Sequence, residues 1–452
     1  MSIRFITRSV ACGLLATGFS GVLHAQTSST THDTLRLSLD SAIVLALDQS
    51  PTVKIADLEV ERVRYGEKEV WGNVFPSLNG SFQYTNNVMK PVMFMPEGFA
   101  AMMGGRRFME IGYKNSLNAG LSAGLPIINF ALWENIKSKQ LEMDLILEKA
   151  RSSRLEMKKS VRDAYYKLLM AIYSAKVLQD TYDNANKTLK HTEDAYTQGA
   201  VAEYDFIRAQ VQVGNLKPNL ISASQGVELA AMQLKILLGI DLNIPIVLTE
   251  QWEQFEQHLL SSVPSQPPSP SNNTNLRQMD LNIRLSQNKL NLIKTQYLPT
   301  LTAFGQIGYQ TQSEDFKISE YQWVSSASIG FQLSLPIFSG FTRHHRYQQM
   351  KIGLKELEYQ RKLTEDNLTL AMQAALNNMK AAQEQIFSTK NAVTQAERGA
   401  EIANLRYEVG TGTILELNDS EMALLQAKLN YTQAIYNYMN AKNNYETLIS
   451  NE

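Results

Sequence analysis

Between Phe130 and Gln198 the chain contains neither proline nor glycine, and its apolar residues recur with a fixed step. Ala164, Leu168, Ala171, Ala175, Leu178, Tyr182, Ala185 and Leu189 advance by four and three in turn. A 3.5-residue repeat keeps one stripe of side chains facing a partner helix, so this spacing predicts coiled-coil packing. Alanine alternating with larger residues lets the helix axes approach closely. At 1.5 Å per residue the helix is about 100 Å long, a length that few soluble enzymes need. A second series, Met372, Ala375, Met379, Ala382, Ile386, Thr389, Val393, Ala396, Ala400, Ala403 and Tyr407, superposes on the first when Ala164 is laid on Ala375. Return helices continue both series, from Ala209 to Leu237 and from Ser420 to Leu448.

The whole chain reads as one unit written twice. Each half runs helix, proline, strand, loop, strand, proline, very long helix, glycine turn, return helix. Phe75-Pro76-Ser77-Leu78 matches Leu298-Pro299-Thr300-Leu301, and Pro126 matches Pro336. Tyr196-Thr-Gln-Gly199 matches Tyr407-Glu-Val-Gly410. Between the halves, Pro264-Ser-Gln-Pro-Pro-Ser-Pro-Ser-Asn-Asn-Thr-Asn275 has no means of packing a core. The expected division is a first repeat at 26–257, a Pro/Ser-rich linker at 258–275 and a second repeat at 276–452. Residues 1–25 precede them as a signal peptide. Arg4 and Arg8 give it a positive start, Val10 to Leu23 is apolar and small, and Leu23-His24-Ala25 is an acceptable cleavage site. Cys12, the only cysteine, lies inside this segment, ahead of the apolar run that a lipoprotein signal places before its cysteine. The exported chain therefore has no disulfide and no thiolate chemistry.

Four segments alternate with period two. Leu117, Ala119, Leu121, Ala123 and Leu125 interleave with Ser116, Asn118, Gly120, Ser122 and Gly124. Leu301 to Gln310 and Ala327 to Leu335 repeat the pattern, and residues 78–87, with Phe82 and Tyr84, are a weaker fourth case. Each run has about the 10 residues that a tilted strand needs to cross a bilayer. The polar positions are small and uncharged, as a water-filled lumen allows. A half-buried soluble sheet explains any one such strand. Four of matched length, flanked by Trp71, Phe75, Phe130, Trp133, Tyr297, Phe338 and Phe341 as an aromatic girdle, point to the membrane. Four strands cannot close a barrel, and lipid does not tolerate open edges. The barrel must be shared between copies, and three copies supply 12 strands.

Composition excludes other classes. Lys+Arg is 43 against 44 Asp+Glu, so bulk charge does not drive nucleic-acid binding. No apolar run reaches 18 residues, so no spanning helix is predicted.

Ala46-Leu-x-x-Ser-Pro51, two Leu-Pro-Ile strand ends, two Tyr-x-x-Gly turns and two very long helices together resemble the TolC family of outer-membrane efflux and secretion channels. The stretch Tyr407-Glu-Val-Gly-Thr-Gly-Thr-Ile-Leu-Glu-Leu-Asn-Asp419 is especially similar, and the resemblance covers about 35–449. It implies an α+β membrane protein acting as a homotrimer. Each subunit gives four strands to a 12-stranded outer-membrane β-barrel, which continues as an α-helical coiled-coil periplasmic tunnel. The tunnel docks on a periplasmic adaptor (a membrane fusion protein) and an inner-membrane transporter. No enzyme activity and no cofactor are implied.

The resemblance also assigns residues. Gly199 and Gly410 turn the hairpin tips at the far end of the tunnel. Glu416 and Asp419 match two acidic positions that ring the periplasmic entrance, with Glu in place of the usual Asp at the first. Acids in the first turn of a helix complementing its dipole are the plainer reading. Tyr407 matches a tyrosine that bonds an aspartate of the neighbouring hairpin and holds the entrance shut; that aspartate corresponds to Asp205. The family often has an arginine where this chain has Gly412, and Arg208 is nearby, at the position equivalent to Asp419.

Other features carry weaker chemistry. Met89, Met93, Met95, Met102, Met103 and Met109 cluster between the first two strands, where an apolar extracellular loop is favoured over soft Cu(I) ligation. His344-His345 are adjacent on a helix and diverge. Gly120-Leu-Ser122-Ala-Gly124 fits a nucleophile pattern, but Ser122 sits mid-strand rather than at an elbow. The leading function is an exit duct for efflux; a type I protein secretion duct and a periplasmic coiled-coil stalk or adaptor are the alternatives.

Overall fold

The computed structural model describes residues 34–449 apart from 99–103, 105–106, 251, 253–263, 265, 267–268 and 318–319. The segment read as a signal peptide, with Cys12, lies outside the described residues, as do Met102 and Met103.

Strand β1 (Leu35–Leu37) leads into helices α1 (Leu39–Gln49) and α2 (Pro51–Gly72). Strand β2 (Ser77–Asn86), the short hairpin β3 (Val92–Phe94) and β4 (Phe108–Glu110), and strand β5 (Asn115–Ile128) follow. Helix α3 (Phe130–Thr197) has 68 residues, and α4 (Glu203–Leu238) returns along its lower half. After strand β6 (Ile246–Leu248), the second half supplies α5 (Thr274–Thr295), β7 (Thr300–Ser313), β8 (Val324–Ser334), α6 (Thr342–Glu408, 67 residues) and α7 (Ile414–Leu448). Helices α2 and α5 both have 22 residues, and α4 and α7 have 36 and 35.

The 4,3 pattern predicts which side chains are covered. Every residue of the α3 series from Ala164 to Leu189 is buried or half-buried, as is every residue of the α6 series from Met372 to Tyr407. Val177, Leu178 and Ala185 of α3 meet Leu216 of α4 and Leu425 of α7 in one cluster. Higher up, Leu376, Met379 and Ile386 of α6 pack on Ala434, Ile435 and Tyr438 of α7 and on Leu169 of α3.

A belt crosses the long helices at mid-length. Strands β1 and β6 pair in parallel there. The Glu250 carboxylate accepts from the Leu39 N–H (3.2 Å), at the positive end of α1, and from the Tyr165 hydroxyl. Burial and this carboxylate hold the Tyr165 phenol above the ordinary tyrosine range. The last residues of the inter-repeat segment are helical. Helix α5 begins at Thr274, inside the stretch read as linker, because Asn273 caps it through the Asn275 N–H (2.9 Å) and donates to the Leu448 carbonyl (2.8 Å).

The four long strands form one antiparallel sheet in the order β2-β5-β7-β8, so β2 and β8 are its open edges. The register sorts the side chains. Leu121, Ile307 and Ala327 lie opposite one another, as do Leu125, Ala303 and Phe331. The other face carries Ser122 with Asn79 and Gln306, and Gly120 with Ser81 and Gly308. Much of the apolar face is bare, with Ile329 92% exposed and Phe331 73%, while Leu117 at its loop end is buried. Trp71 and Trp133 meet edge to face at the helix-side rim (6.2 Å), as do Phe338 and Phe341 (5.6 Å). Among the described residues no helix is long and apolar enough to cross a membrane.

Candidate functional site

Strand β5 runs directly into α3, and the Gly199 turn follows the far end of α3, so this turn and the sister turn at Gly410 lie at the opposite end of the helices from the sheet. Both turns are built alike. Gly199 and Gly410 have φ of 72° and 73°. Each donates its N–H to the tyrosine carbonyl three residues back (2.9 and 3.0 Å). The next residue donates to the carbonyl five back, Ala200 to Ala195 and Thr411 to Arg406. This double closure needs a left-handed residue, which glycine supplies without steric cost.

The two tips enclose a cavity of about 580 Å3 whose lining includes Thr188, His191, Asp205, Tyr407, Glu408 and Gly410. Tyr407 and Asp205 are thus brought to one place. The bond that forms is a different one: the Tyr407 hydroxyl lies 2.9 Å from Thr192 Oγ1. Thr192 commits its own proton to the Thr188 carbonyl (2.8 Å), so the phenol is the donor. A buried threonine oxygen on α3, not the Asp205 carboxylate, receives the Tyr407 hydroxyl. The sister residue Tyr196 does something else, stacking on Phe206 at 5.4 Å.

Arg208 is not joined to this cluster. Its Nε donates to the Tyr204 hydroxyl one turn back (2.8 Å), and its guanidinium lies over that ring. Gly412 is held by close approach: its N–H donates to the Arg406 carbonyl (2.9 Å), and a Cβ there would stand 3.0 Å from Arg406 Cβ. The arginine at this tip is Arg406, which no turn motif marks.

Glu416 and Asp419 are both exposed on the first two turns of α7. Thr413 caps the helix by accepting from the Glu416 N–H (3.2 Å). The Glu416 carboxylate lies 3.6 Å from Arg406 Nη1. Glu416 therefore brings less net negative field than a lone acid, and Asp419 is the less compensated of the two. Two residues beyond Asp419, Glu421 has a buried carboxyl oxygen with no hydrogen-bond partner, and burial holds its carboxyl above the ordinary glutamate range. Thr192 and Arg406 were invisible in the sequence for different reasons. Thr192 lies 215 residues from Tyr407, and Arg406 adjoins Tyr407 but lies outside the turn motif.

The remaining motifs fall elsewhere. Ser122 is mid-strand in β5, without the strand-to-helix elbow a nucleophile needs. The His344 and His345 rings stand 5.5 Å apart at 76°.

The outer membrane efflux protein family model matches residues 42–240 and 269–450. Outer membrane protein TolC of Salmonella enteritidis is 24% identical over 283 residues, covering 61% of this chain and 57% of its own length. TolC of Vibrio cholerae is 21% identical over 327 residues, 71% of this chain and 74% of that protein. This chain thus spans little more than half of the Salmonella relative. The crystal structure of the Campylobacter jejuni CmeC outer membrane channel superposes with a TM-score of 0.70 at 18% identity, over 91% of this chain and 85% of CmeC. At that identity the likeness establishes a shared fold. With the family model spanning both halves, the chain belongs to the outer membrane efflux protein family and is an outer-membrane protein.

Proposed function

We propose that the protein is the outer-membrane exit duct of a tripartite efflux assembly. In this reading three copies pool their sheets into a 12-stranded barrel. Their paired repeats continue below it as a helical tunnel in the periplasm. The tunnel receives small molecules from an inner-membrane transporter through a periplasmic adaptor.

The observation that carries this reading is a four-stranded sheet with two open edges, one bare apolar face and one small polar face, mounted on helices about 100 Å long. In water the bare face is a liability. In lipid it is the required surface, provided other copies cover the edges. A stalk or adaptor has no use for such a sheet.

Three copies of the hairpin tips then ring the entrance. Three Asp419 carboxylates at a constriction favour cations. Three Glu416 carboxylates contribute less, because Arg406 stands beside each. Purified protein in planar bilayers is expected to conduct with a preference for cations. Asp419→Asn is expected to move the reversal potential further toward zero than Glu416→Gln. Absence of conductance overturns the duct. A Glu416→Gln shift larger than that of Asp419→Asn overturns the division of roles.

A further inference from the structure

Six of the chain's 17 methionines fall between Met89 and Met109, a stretch with one valine and no leucine or isoleucine. Apolar packing uses aliphatic side chains of similar volume almost interchangeably. This segment instead draws on thioethers and phenylalanines.

The fold gives the thioethers an order. Strands β3 and β4 pair antiparallel, with Met93 directly opposite Met109. Opposed residues share a face, their Cβ atoms about 4.5–5.5 Å apart. The ladder extends one residue further, the Met95 N–H donating to the Arg107 carbonyl (3.0 Å). Two-residue periodicity then places Met95 on the face of Met93. Val92, Phe94, Phe108 and Glu110 take the opposite face. Met93 and Met109 are 54% and 42% exposed, open to solutes. Two cations of this loop have acidic partners: Arg107 donates to Glu97 (2.9 Å), and Lys90 pairs with Glu314.

We propose that Met93, Met95 and Met109 form a binding site for a soft monovalent cation of the Cu(I) or Ag(I) class, at the end of the sheet away from the helices. Thioether sulfur is a soft, neutral donor that selects Cu(I) and leaves hard cations to oxygen ligands. Methionine's three rotatable bonds let the sulfurs converge without moving the backbone. Beyond residue 25 the chain has no cysteine to compete for the ion. The site uses none of the hairpin-tip residues and stands apart from the duct reading.

Silver nitrate, titrated into the detergent-solubilised full protein in chloride-free buffer, is the direct probe. Saturation at one Ag(I) per chain is expected, with no competition from Zn(II) or Ca(II). Met93→Leu and Met109→Leu keep the apolar bulk and remove the sulfur. Each is expected to weaken Ag(I) binding by at least about tenfold, the loss seen when even an outer-shell partner of a metal is removed. Peroxide oxidation read by mass spectrometry tests the native sequence. Bound Ag(I) is expected to shield Met93, Met95 and Met109 from sulfoxide formation, while Met422, exposed on α7, oxidises at an unchanged rate. Wild-type Ag(I) affinity in the Met93→Leu/Met109→Leu protein overturns the site and leaves an apolar surface. Unchanged oxidation of the three methionines under saturating Ag(I) overturns it equally.

Discussion

The Tyr407 hydroxyl donates to Thr192, and the nature of that acceptor sets the strength of the bond. A neutral hydrogen bond nets about 0.5–1.5 kcal/mol, roughly half of what a carboxylate acceptor gives. In the proposed duct the tips of α3 and α6 part when the entrance opens, so one such bond breaks in each copy. At about 1 kcal/mol each, a bond holds the open population down about fivefold. Tyr407→Phe is expected to raise single-channel conductance while the packed ring keeps the trimer's thermal stability near wild type. Thr192→Val removes the acceptor at constant shape and is expected to act alike, with the double variant adding little. Asp205→Asn is expected to do less than either. A larger conductance rise from Asp205→Asn than from Tyr407→Phe sinks this assignment. Tyr407, Gly199 and Gly410 were legible because a turn motif marks them. The partner of Tyr407 was not, since a hydrogen bond between two helices leaves no local pattern. Arg208, at the position equivalent to Asp419, is committed instead to Tyr204, within reach on its own helix.

Periodicity carries more information for elements than for partners. The proline- and glycine-free stretch from Phe130 to Gln198 matches α3, while the 4,3 series, starting at Ala164 and at Met372, marks only the part of each long helix where a buried stripe recurs every 3.5 residues against a partner helix. The period-two runs placed all four long strands. They left the strand order open, since alternation records which face is apolar and says nothing of the neighbour. The three-residue strands β1, β3, β4 and β6 are too short to show any period. Face assignment is the element property most open to test. Ile329 and Ser328 are adjacent on edge strand β8 and point to opposite faces. Ile329→Lys puts a charge on the bare apolar face, at a cost of about 2–4 kcal/mol at mid-membrane. It is expected to reduce trimer recovered from the outer-membrane fraction. Ser328→Lys is expected to assemble normally and alter conductance. The reverse pattern inverts the barrel.

In the proposed trimer, joining copies into one molecule depends on the edges β2 and β8. An antiparallel sheet of four strands ends on two strands running in opposite directions, so β8 of one copy meets β2 of the next in the same alternation. Two copies give eight strands, a barrel whose interior side chains fill. The small residues of the polar face, Ser81, Gly120, Ser122, Gly308 and Ser326 among them, suit a wider, water-filled lumen. The proposed twelve strands from three copies would supply it. Within one chain β2 and β8 are separated by two strands, hence by three spacings of about 4.8 Å, or about 14 Å in all. A disulfide spans Cα atoms no more than about 7 Å apart. Any bond between cysteines on β2 and β8 must therefore join two copies. The chain has no cysteine beyond Cys12, so introduced pairs report cleanly. Cysteines scanned over Asn79, Ser81 and Gln83 against Ser326 or Ser328 are expected to give, in at least one pairing, a ladder ending at covalent trimer on non-reducing gels. The control Ser122→Cys/Gln306→Cys joins directly opposed residues of β5 and β7 and is expected to remain a monomer on the same gels. Control disulfides without any cross-link between edge strands, together with light scattering that gives a folded monomer, would remove the shared barrel and the duct with it.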